Sequence, residues 1–115
     1  MAENDGVARL LEHAAMFRQA GFEGKARVTC RLAAANSLRI LFEKCGEQLP
    51  PGSSVDLIRV ASEKQFIPVE IKQLIGHFSQ KVDENFQLTG DIDLLEDAIK
   101  LDQWVMNKTN GAEIP

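Results

Sequence analysis

Apolar residues return along this chain every three or four positions, the repeat of a helix with one buried face. Val7, Leu10, Leu11, Ala14, Ala15 and Phe17 form the first such face. It ends before Gly21, and Gly21 and Gly24 bracket a short turn, so the spacing predicts a helix over Gly6–Ala20. A second helix is predicted over Lys25–Cys45, with Gly46 as its stop signal. Its apolar positions fall on two adjacent stripes. Val28, Leu32, Ala35 and Phe42 make one, and Ala34, Leu38, Leu41 and Cys45 the other, with Ile40 and Ala33 further round. A helix apolar over half its circumference needs more than one covering neighbour. This helix is therefore expected at the centre of the fold, and also at an interface between two copies.

The segment EQLPPGSS breaks the pattern, because Pro50 and Pro51 cannot continue a helix. Ser53 followed three residues on by Asp56 reads as a capping box with Asp in place of Glu. A third helix is expected over Ser54–Lys64, burying Val55, Ile58 and Ala61, with Leu57 beside them. Phe66, Ile67 and Pro68 end it and start a fourth, Pro being tolerated in a first turn. That helix is expected to bury Ile71, Leu74, Ile75, Phe78 and Val82, and to fade near Phe86. After QLTGD, with Asp91 or Thr89 as cap, a fifth would bury Ile92, Leu95, Ala98, Ile99 and Val105, with Trp104 near its end. No segment alternates with period two. The expected fold is an all-α, antiparallel up-and-down bundle of four to five helices. It forms a single domain over 1–115, ordered from about residue 6 to 107 and followed by a polar tail.

Composition adds limits. The 115 residues are 44% hydrophobic, enough for one core, and no apolar run reaches the roughly 18 residues of a membrane span. The N-terminal stretch begins with acids and lacks the features of a secretory signal. No membrane association and a cytoplasmic location are therefore the expectation. The net charge of −4 argues against a dedicated nucleic-acid binder but leaves room for a local basic patch. Cys30 and Cys45 share one predicted helix, about 22 Å apart along its axis, too far for a bond needing Cα atoms within roughly 7 Å. They read as free, buried thiols.

Candidate chemistry is sparse. His77 follows Lys72 by five positions, and the two could approach one phosphate; the plainer reading is a surface or interface histidine. His13, one turn after Arg9, reads as a helix surface residue. Arg27 and Arg31 lie one turn apart near a helix N-terminus, a geometry that suits a phosphate, an acidic surface or plain solvent. Arg39 projects from the stripe of Val28, Leu32 and Ala35, where a buried guanidinium would need a carboxylate partner or a path to the edge. Asp91, Asp93, Glu96 and Asp97 crowd the start of the last helix, where the helix dipole accounts for them better than a metal. There is no Gly-rich phosphate loop, zinc spacing or GxSxG. No metal or other cofactor is expected. Tyr is absent, and Trp104 is the one Trp.

The stretch GFEGKARVTCRLAAANSLRILFEKCGEQLP resembles the second helix of HEPN domains: a short Gly turn, a long Ala-rich helix, then Gly and a Pro-containing loop. The ending DIDLLEDAIKLDQWV is similar to their last helix, and the likeness extends over roughly residues 7 to 106. The resemblance implies an antiparallel helical bundle, commonly a homodimer, acting beside a nucleotidyltransferase and often within a toxin–antitoxin pair. It also implies RNA or a nucleotide as ligand. Active members are metal-independent endoribonucleases using an Arg, four to six residues and a His. The matching stretch here runs from Lys72 to His77, with Lys in place of Arg. Lysine lacks the planar fork that holds a phosphate bidentately. Three functions are thus weighed. The first is a non-catalytic HEPN-like interaction domain that dimerises and binds a protein partner or a nucleotide. The others are a weak RNase using Lys72 and His77, and a helical adaptor unrelated to nucleotides.

Overall fold

A computed structural model describes residues 5–50, 52–79 and 93–110. Those residues form five helices: α1 (Asp5–Gln19), α2 (Glu23–Cys45), α3 (Ser54–Ala61), α4 (Val69–His77) and α5 (Leu94–Asn110). The expected Val82, Phe86, Thr89, Asp91 and Ile92 lie outside the described residues, as does Pro51.

Two glycines fix the turns around α2. Gly21 (φ 87°) and Gly46 (φ 73°) both take the left-handed conformation that a Cβ disfavours. Behind each, the chain closes a six-residue cap: the Phe22 N–H donates to the Phe17 carbonyl, and the Glu47 N–H to that of Phe42, both at 2.8 Å. Before α3, the expected capping box forms, and the Ser53 N–H donates to Asp56 Oδ2 at 3.0 Å. α3 stops at Ala61, short of the expected Lys64. Glu63 and Lys64 instead donate to carbonyls three residues back, which tightens the chain into a turn.

α2 is the centre of the fold, packing against α1, α3 and α5. Ala33, Ala34, Ala35, Leu38, Leu41 and Phe42 have no exposed surface. Contacts at the helix ends fix the directions. Arg18, late in α1, pairs with Asp93 just before α5 (2.9 Å), so α5 runs back along α1. α2 also runs back along α1 after a three-residue turn, which makes α2 and α5 parallel. Their buried contact between Ser37 Oγ and Asp102 Oδ1 (3.2 Å) lies midway along both. His77, ending α4, meets Asp97 in the first turn of α5, so α4 is antiparallel to α5. Direction therefore alternates through α1, α2, α4 and α5, in the expected up-and-down order, with α3 as a short link.

Some expected core positions are on the surface. Val28 and Leu32 of α2, Val55 of α3 and Ile99 of α5 are exposed, and so is Cys45. Val28, Leu32 and Arg39 share the side of α2 that α1, α3 and α5 leave uncovered. Arg39 is thus exposed, bonded to Asn36 Oδ1 (2.6 Å), and its expected burial in an apolar stripe does not occur. On α5, the buried stripe is Leu94, Ala98, Leu101 and Val105, one position away from the Leu95–Ile99 face. Cys30 is buried as expected, and burial pushes its thiol up to about 11.

Candidate functional site

The polar groups with chemical potential collect where the N-terminal third of α2 meets the end of α4 and the start of α5. His77 is the last residue of α4. Its Nδ1 lies 2.7 Å from Asp97 Oδ2. The Asp97 side chain is 10% exposed and that of His77 is 32%. A carboxylate against Nδ1 fixes the orientation of the ring and leaves Nε2 on the side away from Asp97. This is the geometry of an oriented acid–base group at the edge of solvent.

Arg31 reaches the same corner from α2. Its Nε donates to the carbonyl of Phe78, the residue after His77, at 3.0 Å. Burial first, and the charge of Arg27 second, push the Arg31 guanidinium below its ordinary value. Arg27 lies one turn earlier with its side chain 16% exposed, and its contact with Glu23 is long at 3.9 Å. Two guanidinium groups one turn apart on α2 are thus both partly buried.

The other candidates lie elsewhere. Five positions along a helix amount to a rotation of about 140°, so Lys72 and His77 point to different sides of α4. Lys72 is half-buried on that helix. The expected grasp of one phosphate by both residues does not follow from their placement. Arg39 is eight residues beyond Arg31, about 12 Å along α2, on the uncovered side. Spacing alone reads Asp97, the partner of His77, as a residue stabilised by the helix dipole. The signal for more was its position: three residues after Leu94 and four before Leu101, both buried. A carboxylate on the core-facing stripe needs a partner.

Beside this corner, Arg18 Nη1 contacts both Asp93 oxygens, at 2.9 and 3.0 Å. At the α1–α2 turn, Lys25 Nζ lies 5.8 Å from the Phe17 ring and 5.2 Å from the Phe22 ring. Among the described residues, no group of three His, Cys, Asp or Glu could hold a metal ion, and no helix is long and apolar enough to cross a membrane. Comparison with protein-family models, curated proteins and solved structures finds no match.

Proposed function

We propose that this chain is a helical interaction domain without catalytic activity of its own, which pairs with a second copy through α2 and presents that pair to a larger protein. The observation behind the reading is the uncovered face of the central helix. There, Val28 and Leu32 are 56% and 42% exposed, one turn apart. Apolar side chains grouped on one exposed helix face mark an interaction surface more often than an isolated exposed residue does. The occupant is a second copy because the face carries its own complement: Lys25 at one end and Glu43 at the other, both exposed. The HEPN resemblance of this segment supports pairing and names a nucleotidyltransferase as the larger partner.

Light scattering on a sizing column tests the pairing. The expected mass is twice 12.8 kDa. Val28→Glu combined with Leu32→Glu should give the single-chain mass with an unchanged helical spectrum, since both positions are exposed. A wild-type chain that stays at the single mass up to high concentration would sink the reading.

A second reading has its own observation, the ring of His77 held by Asp97 beside Arg31. In this reading the corner is a weak, metal-independent ribonuclease site, with Arg31 in the phosphate-holding role first given to Lys72. Loss of a general acid–base group typically costs about 10²–10⁴ in rate. RNA cleavage should therefore fall by that factor in His77→Ala and hardly change in Lys72→Ala. Equal cleavage by wild type and His77→Ala, or none by either, removes the reading.

A further inference from the structure

The uncovered face of α2 does more than mark a contact; the order of its side chains selects one arrangement of two copies. The face runs through Lys25, Val28, Leu32, Asn36, Arg39 and Glu43, in steps of three and four residues. Its margins are closed, because Thr29 and Ala35 on either side are buried. What remains is a narrow stripe with a base at its start, an acid at its end and apolar residues nearer the start. We propose that the second copy lies antiparallel along this stripe, in the register centred on residue 34 that pairs Lys25 of each copy with Glu43 of the other. The inference rests on the pairing proposed above and specifies its geometry.

Charge decides between the alternatives. A parallel pair would stack Lys25 on Lys25, Arg39 on Arg39 and Glu43 on Glu43, three like-charge contacts. An antiparallel pair centred on Leu32 would maximise apolar contact, but it sets Lys25 against Arg39 of the partner subunit twice. Centred on residue 34, two-fold symmetry forms the Lys25–Glu43 pair twice. Leu32 then meets Asn36 of the partner subunit. Val28 meets the stem of the partner's Arg39, which its own Asn36 holds along the helix (2.6 Å). The end pairs lie nine residues from the centre, about 13.5 Å, so the two helices must cross at a shallow angle near 20°. A crossing near 50° would separate those ends.

Charge reversal reads the register directly. Turning two attractive end pairs into repulsive ones should raise the dimer dissociation constant roughly tenfold in Lys25→Glu, and likewise in Glu43→Lys, with a smaller effect at high salt. Mixing the two single variants should restore affinity to within about threefold of wild type, because each heterodimer regains two opposite-charge pairs. The mixture also controls for any local effect of Lys25→Glu at the Phe17 and Phe22 rings, since that effect would persist in the heterodimer. If the wild type is a dimer but mixing restores nothing, the register is wrong and the pairing stands. If the wild type is a single chain throughout, the pairing itself fails, and this register with it.

Discussion

Phe42→Ala is expected to be the most damaging single truncation in this chain, lowering stability by about 3–5 kcal/mol. Phe42 has no exposed surface and lies near the C-terminal end of the central helix. Its ring meets that of Phe66 at 6.5 Å between centroids, tilted by 57°. Lys64 lies over it at 5.8 Å while pairing with Glu47 at 2.9 Å. Phe42 thus anchors the turn that joins α3 to α4, as well as filling the core. Its carbonyl accepts the Glu47 N–H that ends α2, but that bond is made by backbone and survives truncation. The loss is therefore transfer free energy plus a cavity, with Phe66 deprived of its neighbour. Against the roughly 5–15 kcal/mol of a typical domain, this is a large share. For a domain of this size it should lower the midpoint of thermal unfolding by roughly 10–20 °C. Val28→Ala on the same helix is the control, expected to shift stability by no more than about 0.5 kcal/mol because Val28 is exposed. Both should be compared at concentrations low enough to keep the chain single, since Val28 lies on the proposed pairing face and self-association would stabilise the folded chain by mass action.

That contrast also shows what the sequence could and could not convey. Val28 and Phe42 lie on the same apolar stripe, and periodicity alone marks both as core. Which of them is covered depends on where α1, α3 and α5 pack, and no pattern within α2 specifies that. α5 makes the same point: Leu94–Leu101 and Leu95–Ile99 are both apolar faces, and neighbours choose between them. By contrast, the existence of the helices, the glycine stops and the Ser53 capping box follow from local chemistry, and all were legible. The α2 centre was legible too, because an unusually wide apolar surface demands several neighbours. The candidate site was half legible. Arg27 and Arg31 were recognisable as a pair from one-turn spacing, and His77 as a lone titratable group. Asp97 joins His77 across 20 residues, and Arg31 joins the Phe78 carbonyl across 47, contacts that no local pattern encodes.

Asp93→Ala should be the most costly change at a helix boundary, and the one with a clear pH signature. Asp93, rather than the expected Asp91 or Thr89, caps α5. Its Oδ1 accepts from the Leu95 and Glu96 N–H groups, both at 3.1 Å, and its carbonyl accepts from the Asp97 N–H at 2.9 Å. The same carboxylate holds Arg18 and so ties the end of α1 to the start of α5. Burial pushes the Asp93 carboxyl up, but the Glu96 amide and the Arg18 guanidinium together outweigh it, and the group ends below its usual value. Loss of the cap costs about 0.5–2 kcal/mol, and the half-exposed Arg18 pair adds about 0.2–1 kcal/mol after screening. The sign with pH follows from the lowered value. The folded state binds its proton more weakly than the unfolded chain does, so the contribution is complete above the unfolded value near 4 and fades as pH falls through the lower folded one. The stability gap between wild type and Asp93→Ala, measured by urea unfolding, should therefore be constant from pH 7 to about 5 and narrow towards pH 3. A gap that stays constant to pH 3 would show that the carboxylate charge contributes nothing, leaving the cap to shape alone. Arg18→Ala separates the two parts, because it should remove only the smaller, salt-sensitive share and leave the two amide bonds of Asp93 in place.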